Sequence, residues 1–230
     1  MADYGDARGK AVTSEPAAAA GGDGVLVLCT ANVCRSPMAA ALLARRLAAL
    51  GVTVPVSSAG MLDDGRPALP EVVQVMDAYG LDVSAHRSRA ARPADLAAAG
   101  LVLGMARENI RHAVVTAPEA WPRAFTVKEL IRRAGHTGAR APGEPLPAWL
   151  SRVHAGRERA SLLGDAGDDD VPDPAGGPPP GYAQAAALLD QLMDHLAWLC
   201  WGQAGSAPAS RSAHLRASGT TMRSAREGGR

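Results

Sequence analysis

Aromatic side chains, cysteine, net charge and long apolar runs are all scarce in this sequence of 230 residues. Aromatic residues make up only 3% of it, and the arginines are spread without aromatics between them, so we expect no nucleic-acid groove. A net charge of +1 produces no overall field toward polyanions or anionic membranes. Three cysteines, an odd number, do not form a secreted disulfide framework. No apolar run approaches the ~18 residues of a membrane span. The N-terminal region lacks a signal-peptide core, so we expect a cytoplasmic protein that does not engage membranes.

The composition divides the chain into three parts. Residues 1–22 are rich in Ala, Gly and Asp, and residues 203–230 in Ser, Ala, Gly and Arg, so we predict a disordered leader and a disordered basic tail. The hydrophobic content of 47% is sufficient for one core, which we place in a single domain, 23–202. Within it, residues 135–169 predict an irregular surface insertion with one helix around Trp149 to Arg159.

Strand-like and helix-like patterns alternate through this domain. Strands separated by helices imply parallel crossover connections, so we predict an α/β fold with a three-layer, doubly wound, four-stranded parallel sheet. In such sheets ligands bind at the carboxyl ends of the strands. The predicted strands are Val25–Leu28, Val52–Ser57, Gly100–Leu103 and Arg123–Val127. The predicted helices are Met38–Leu50, Leu69–Tyr79, Pro93–Ala98, Arg107–Val115, one from the last strand through Arg133, and Tyr182–Trp201.

The segment after the first predicted strand carries the chemistry, because Cys29 to Pro37 read CTANVCRSP. Ser36 suits an N-cap and Pro37 the first helical position, so the loop lies against a helix N-terminus, which favours anions. Thiols in such places ionise readily, and the thiolate is the nucleophile. Arg35 offers a planar fork for two oxygens of a phosphate-like group. The loop thus predicts a nucleophile, an anion cradle and a cationic clamp, with an inert buried cysteine as the alternative.

This loop resembles the phosphate-binding loop of the low-molecular-weight protein tyrosine phosphatases. The resemblance continues, in family order, at Val56–Gly60, Gly80–Ser88, Gly100–Met105 and Asp170–Pro174. It implies the fold of that family and cysteine-dependent hydrolysis of phosphate monoesters through a phosphocysteine intermediate. It also implies that no metal or cofactor takes part and that the substrate is a phosphotyrosine protein or a small phosphate ester. The oligomeric state cannot be read from the sequence.

Phosphoryl transfer to a thiolate also needs an acid to protonate the leaving oxygen. Asp173 is the candidate, since Pro172 and Pro174 restrict its backbone in a Gly-rich loop. The resemblance points to the same residue, because the family carries its acid in an Asp-Pro motif. The alternative is an ordinary Asp-Pro turn in an acidic region.

Other residues are predicted to support the loop. Asn32 tolerates left-handed backbone angles, and Ser36 is expected to donate to the Cys29 sulfur as well as to cap the helix. Ser58 and His86 resemble family residues that brace the loop, although His86 also fits a plain surface or core histidine. Thr30, Ala31, Val33 and Cys34 complete the predicted phosphate-binding loop.

The sequence allows three interpretations of Cys34. It is a plain buried residue, the partner of Cys29 in a reversible disulfide as in some family members, or half of a metal pair. No Cys/His cluster in the sequence completes a metal site, so zinc is set aside.

Three positions depart from the family pattern. Ala175 stands where the family often has an aromatic wall, Ala31 where glycine is common, and Ala106 where many members have aspartate. Two other functions remain open. Arsenate reductases share this fold and loop but pass a disulfide along further cysteines, which residues 81–91 lack, so that Cys34 or a small thiol would have to resolve a Cys29 adduct. Ala175 and Ala31 motivate a non-catalytic phosphate-binding module, which would need neither nucleophile nor acid.

Overall fold

The computed structural model describes residues 22, 24–62, 65–163 and 167–202. Apart from Gly22, the predicted leader and tail lie outside the described residues. Four strands form one sheet: β1 Val25–Leu28, β2 Val56–Ala59, β3 Leu101–Gly104 and β4 Ala124–Thr126. The sheet order is β2-β1-β3-β4 and every pairing is parallel. This arrangement confirms the predicted α/β fold.

Seven helices connect and cover the described strands, together with two 3₁₀ segments at Pro118–Arg123 and Arg159–Leu162. The helices are α1 Arg35–Ala49, α2 Pro70–Asp77, α3 Pro93–Ala98, α4 Arg107–Thr116, α5 Val127–Thr137, α6 Leu146–His154 and α7 Pro179–Trp201. None of these, including α7 with its 23 residues, is long and apolar enough to cross a membrane.

The side chains of the central strands point alternately to the two faces of the sheet, and each face packs against a hydrophobic core of its own. Val25 and Val27 face the core that contains α1, α2, α5, α6 and α7, whereas Leu26 and Leu28 face the core of α3 and α4. Side chains of a strand point alternately to opposite faces, so a sheet buried on both faces has apolar residues throughout. The result is the predicted three-layer arrangement. Helices α1 and α4 lie on opposite faces, so the chain reverses its winding direction between β1 and β3.

The second strand begins later than predicted. The prediction placed it at Val52–Ser57, but residues 52–55 instead close the end of α1 and lead into β2. Val52 N donates to Leu47 O at 2.9 Å, which satisfies a carbonyl of the last helical turn. A β-branched pattern alone does not distinguish such a connection from a strand.

The predicted insertion 135–169 does contain the expected helix, but the segment does not simply lie on the surface. Helix α5 continues to Thr137 rather than ending at Arg133, and the helix predicted around Trp149 to Arg159 is α6, shifted to Leu146–His154. The Trp149 side chain is fully buried, and its Nε1 donates to Gly138 O at 3.0 Å. The apolar face of α6 therefore completes the core instead of lying on the surface.

A buried ion pair ties the same segment to the sheet. Arg157 makes a bidentate contact with Glu129 at 2.8 and 2.9 Å and is almost fully buried. Its guanidinium lies 3.8 Å from the Trp121 ring centroid and 4.0 Å from that of Phe125. Burial lowers the pKa of Arg157, and the Glu129 carboxylate counters that effect.

Candidate active site

The candidate site lies where the first strand ends. Cys29 directly follows β1, beside the point where the winding direction reverses, which is where doubly wound sheets bind ligands. The Cys29 sulfur is buried, 3.0 Å from Ser36 Oγ, and accepts a hydrogen bond from Asn32 N at 3.2 Å. Two hydrogen-bonding groups therefore stabilise negative charge on the sulfur.

The carbonyl groups of the loop are engaged, whereas most of its N–H groups are free. Three carbonyls accept hydrogen bonds from neighbouring segments: Thr30 from Met61 N at 2.8 Å, Asn32 from His86 Nε2 at 2.6 Å, and Val33 from Leu69 N at 3.0 Å. Within the described part of the chain, five backbone N–H groups of the loop donate no hydrogen bond: Thr30, Ala31, Val33, Cys34 and Arg35. Successive free N–H groups at a helix start form an anion-binding concavity.

Asn32 is the centre of the loop. Its φ of 53° is the only positive φ of a non-glycine residue within the described ranges. Its amide Nδ2 donates to Ser36 Oγ and Ser58 Oγ, both at 2.9 Å, and its Oδ1 accepts from Arg89 N at 3.0 Å. Asn32 is fully buried, so these bonds hold the strained backbone in one conformation.

Three residues outside the loop contact it. Ser58 and His86 were predicted to support the loop, whereas Gly60 was not predicted individually. Ser58 and His86 both bond Asn32, as described above. Burial lowers the pKa of His86, so the neutral imidazole donates from Nε2 to the carbonyl. Gly60 lies so close that an added Cβ would stand 2.9 Å from Thr30 O. The signal for Gly60 was present in the block Val56–Gly60, but only the folded chain shows the close approach.

The first helix starts earlier than predicted. Cys34 is its N-cap and Arg35 its first residue, so Ser36 and Pro37 lie inside the first turn. The prediction that Ser36 caps this helix was wrong, because its hydroxyl bonds the Cys29 sulfur and Asn32 Nδ2 instead. The first-turn N–H groups thereby stay available to an anion.

Arg35 spans the mouth of the loop. Its guanidinium is almost fully buried, and Nη1 donates to Val171 O at 3.2 Å while Nη2 lies 3.4 Å from Thr30 Oγ1. Its Nε is buried and has no hydrogen-bond partner among the described residues. An unpaired buried donor is costly, and a bound phosphate oxygen would satisfy it.

Asp173 lies against this clamp. Its Oδ2 is 2.6 Å from Arg35 Nη2, and its Oδ1 accepts from Ala175 N at 3.1 Å. The carboxylate is 43% exposed, so it reaches both the site and solvent. It belongs to the segment 168–177, which we call the acid loop. The structure thus brings Cys29 and Arg35 of the loop together with Asp173 from a distant part of the sequence.

Cys34 lies in the same loop as Cys29, but its surroundings disfavour the thiolate form that a nucleophile needs. Burial, with a further contribution from Asp173, raises the pKa of the Cys34 thiol to about 12. All three cysteines are free thiols in this structure. Within the described residues no three His, Cys, Asp or Glu side chains are grouped to hold a metal ion.

The departures from the family pattern have different consequences. Ala31 does not have a positive φ, so alanine at that position is not strained. Ala175 supplies no aromatic ring, and Tyr182 does not replace it, because Tyr182 is buried and its hydroxyl accepts from Gly176 N at 3.2 Å. Ala106, the N-cap of α4, has no side-chain acceptor of its own.

Sequence reasoning missed two further neighbours of the site. The exposed Glu108 accepts a hydrogen bond from Thr30 Oγ1 at 2.8 Å, and Val171 supplies the carbonyl that orients Arg35. Both lie far along the chain from the loop, and no local pattern marks either one.

Comparisons with known proteins agree with this geometry. The family model of low molecular weight phosphotyrosine protein phosphatase matches residues 24–144. A probable low molecular weight protein-tyrosine-phosphatase EpsP of Ralstonia solanacearum is 38% identical over 106 residues, 46% of this chain and 71% of that protein. A protein-arginine-phosphatase of Geobacillus stearothermophilus is 30% identical over 174 residues, 75% of this chain and 93% of that protein. The structure of a low molecular weight protein tyrosine phosphatase from T. tengcongensis matches with a TM-score of 0.57 and 34% identity, over 75% of this chain and 95% of the other.

The fold and the loop define an α/β phosphatase of the cysteine-based class. The chain belongs to the low molecular weight phosphotyrosine protein phosphatase family. This confirms the resemblance, and the protein is a hydrolase whose family acts on phosphoproteins or phosphate esters. The arsenate reductase and the non-catalytic binding module are not favoured.

Proposed function

We propose that this protein hydrolyses phosphotyrosine-like aryl phosphate monoesters through a phosphorylated Cys29. The observation that carries the proposal is the free N–H cradle around the Cys29 sulfur, closed on one side by Arg35 and its unpaired Nε. Such a site is complementary to a phosphoryl group, because the negative charge of the transition state lies on the equatorial oxygens.

Binding places the phosphate in the cradle. The free N–H groups of Thr30, Ala31, Val33, Cys34 and Arg35 and the Arg35 guanidinium hold its oxygens, and a phosphate oxygen replaces the Asp173 carboxylate at Nη2. Asp173 is then released toward the ester oxygen of the leaving group. Thr30, Ala31, Val33 and Cys34 contribute through their backbone, and Ser58 and His86 act by holding Asn32.

The reaction follows in two displacements. Once released from Arg35, the Asp173 carboxylate takes up a proton from solvent. The Cys29 thiolate then attacks phosphorus, a sulfur–phosphorus bond forms, and the phosphorus–oxygen bond to the leaving group breaks while Asp173 gives that oxygen its proton. Ser36 hydrogen-bonds the sulfur throughout. In the second step the Asp173 carboxylate takes a proton from water, the resulting hydroxide attacks phosphorus, and phosphate and the thiolate are released.

Steady-state hydrolysis of p-nitrophenyl phosphate in EDTA tests the proposal. We expect turnover by wild-type protein, none by Cys29→Ser, and a loss of kcat of about 10²–10⁴-fold in Asp173→Asn, because hydrolysis of the phosphocysteine needs Asp173 as its base whatever the leaving group. Cys200→Ser is the matched control, because Cys200 is a buried residue in the last turn of α7 and takes no part in the described hydrogen bonds of the loop. Turnover by Cys29→Ser equal to that of wild type contradicts the proposal.

Protein phosphoarginine is the second candidate substrate. Two observations favour it: the similarity to the protein-arginine-phosphatase extends over 75% of this chain, and Ala175 supplies no aromatic wall for a phenyl ring. The same residues would act on a phosphorus–nitrogen bond, with Asp173 protonating the leaving nitrogen. Comparison of kcat/KM on phosphotyrosine and phosphoarginine peptides of one sequence decides between them, and a higher value on phosphoarginine overturns the preference for aryl esters.

A further inference from the structure

A carboxylate three residues before Asp173 joins the acid loop to helix α4. Asp170 Oδ1 accepts a hydrogen bond from Arg107 N, the first amide of α4, at 2.8 Å. The two residues are 63 positions apart in the sequence. A carboxylate at this place satisfies an N–H group that the helix leaves unpaired and interacts favourably with the helix dipole.

Helix α4 has no side-chain acceptor of its own for the Arg107 amide. The N-cap of α4 is Ala106, which has no side-chain oxygen, so the cap that Ser, Thr, Asp or Asn would provide is missing. Asn109 Oδ1 accepts from Ala106 N at 2.8 Å, but this bond does not serve the Arg107 amide. Asp170, from another part of the chain, supplies the acceptor for the Arg107 amide. The capping of α4 and the placement of the acid loop therefore depend on the same side chain.

Further contacts hold the backbone beside Asp170. Lys128 Nζ donates to Asp170 O at 2.6 Å, and Val171 N donates to Met105 O at 2.7 Å. The neighbouring Asp169 pairs with Arg132 at 3.1 Å and with Arg107 at 3.5 Å. The start of the acid loop is therefore fixed by Met105 after β3 and by α4 and α5, whereas the Asp173 carboxylate is 43% exposed and has only Arg35 and Ala175 as partners among the described residues.

We propose that Asp170 is a positioning residue that sets the distance of Asp173 from the leaving group by anchoring the acid loop to the amide of Arg107. This inference rests on the proposed function, in which Asp173 protonates the leaving oxygen. Without the anchor, the segment between Val171 and Asp173 loses its link to the first amide of α4 and keeps only the backbone contacts of Asp170 and Val171 and the ion pairs of Asp169. The nucleophile and the loop amides stay in place, because neither Cys29 nor Asn32 shares a hydrogen bond with Asp170 in the described part of the chain. The Val171 carbonyl that orients Arg35 is held separately, through the bond from Val171 N to Met105 O.

The consequence is specific to substrates that need the acid. p-Nitrophenol leaves readily as an anion, but phenol, with a pKa of about 10, requires protonation as the bond breaks. We expect Asp170→Ala to lower kcat/KM about 10-fold or more on phenyl phosphate and less than about 3-fold on p-nitrophenyl phosphate. Asp170→Asn keeps the Oδ1 acceptor, so it is expected to retain most of the activity on both substrates.

Two variants separate positioning from plain stability. Asp168→Ala is the matched control, since Asp168 belongs to the same acidic run but is exposed and makes no hydrogen bond or ion pair within the described ranges. The double variant Ala106→Asp with Asp170→Ala gives α4 a cap of its own. We expect it to recover the melting temperature of wild type but not the ratio of kcat/KM between the two substrates.

Hydrogen exchange supplies a readout that needs no turnover. The amides of Val171, Asp173 and residues 175–177 should exchange faster in Asp170→Ala than in wild type, and at the wild-type rate in Asp168→Ala. Absence of wild-type activity on p-nitrophenyl phosphate would refute the proposed function, not the anchor. Equal losses on both substrates, recovery of the substrate ratio by Ala106→Asp, or unchanged exchange in Asp170→Ala would each overturn the positioning role.

Discussion

Replacement of Asn32 by alanine tests the claim that the loop is held in shape before phosphate arrives. The change removes three hydrogen bonds, a buried one to Ser36 and two partly buried ones to Ser58 and Arg89 N, each with a net contribution of about 1 kcal/mol. Alanine also pays about 1–2 kcal/mol for the positive φ that asparagine tolerates. We therefore expect Asn32→Ala to lower the free energy of unfolding by about 4 kcal/mol, a large part of the roughly 5–15 kcal/mol of a typical domain.

Two companion variants divide this loss into its parts. Asn32→Gly loses the same hydrogen bonds, but glycine adopts the positive φ without the strain that alanine has there. The greater conformational freedom of glycine in the unfolded chain offsets roughly 0.5–1 kcal/mol of this gain in folded-state stability. Asn32→Gly should therefore be more stable than Asn32→Ala by about 0.5 kcal/mol or more. Ser58→Ala removes one of the three bonds and should cost about 1 kcal/mol.

Urea denaturation followed by circular dichroism measures these differences, and kcat/KM on an aryl phosphate reports the integrity of the cradle. We expect activity to fall in the same order as stability, with Ser58→Ala the most active of the three. An Asn32→Ala protein that loses less than about 1 kcal/mol, or that is more stable than Asn32→Gly, would refute the reasoning.

Three further predictions concern buried titratable groups. Burial lowers the pKa of His86 in the folded state, so the unfolded chain protonates first and stability falls as pH drops through about 6.5. The advantage of wild type over His86→Gln in unfolding free energy should shrink between pH 7.5 and pH 5, and a constant difference would contradict this. Burial raises the pKa of Cys34 to about 12, so peptide mapping after iodoacetamide at neutral pH should find Cys34 unmodified, whereas labelling as fast as Cys29 would be contrary evidence. Glu129→Gln leaves the buried Arg157 guanidinium without its counter-charge and should cost about 3 kcal/mol in urea denaturation, and a loss below 1 kcal/mol would argue against the ion pair.

The sequence predicted the sheet and the loop because both are local patterns. Strand β1 is an unbroken apolar run that ends at Cys29, and α3 begins at Pro93 and ends at Ala98 as predicted. Residues 29–37 carry enough specific chemistry to indicate a phosphate site before any contact is known. Asn32 could be assigned its left-handed conformation because few other residues tolerate it.

Contacts between segments that are distant in the sequence could not be predicted from local sequence patterns. Arg157 looks like a solvated charge in the sequence, yet it lies between two aromatic rings and pairs with Glu129, 28 residues away. Ser36 resembles a plain N-cap, but the fold turns its hydroxyl toward the sulfur and starts α1 at Arg35. Asp170 appears as one of three aspartates in a row, and only the position of α4 distinguishes it from its neighbours.

The most direct test of the account is whether Cys29 carries the phosphoryl group during turnover. Wild-type protein mixed with an aryl phosphate is quenched in acid within one turnover, digested and analysed by mass spectrometry, with Cys34→Ser treated in parallel because both cysteines fall in one peptide. The account predicts one added phosphoryl group on Cys29 in both proteins, at a level that rises and decays with substrate consumption. Phosphate released without a phosphorylated peptide, or phosphorylation that disappears in Cys34→Ser, would contradict it.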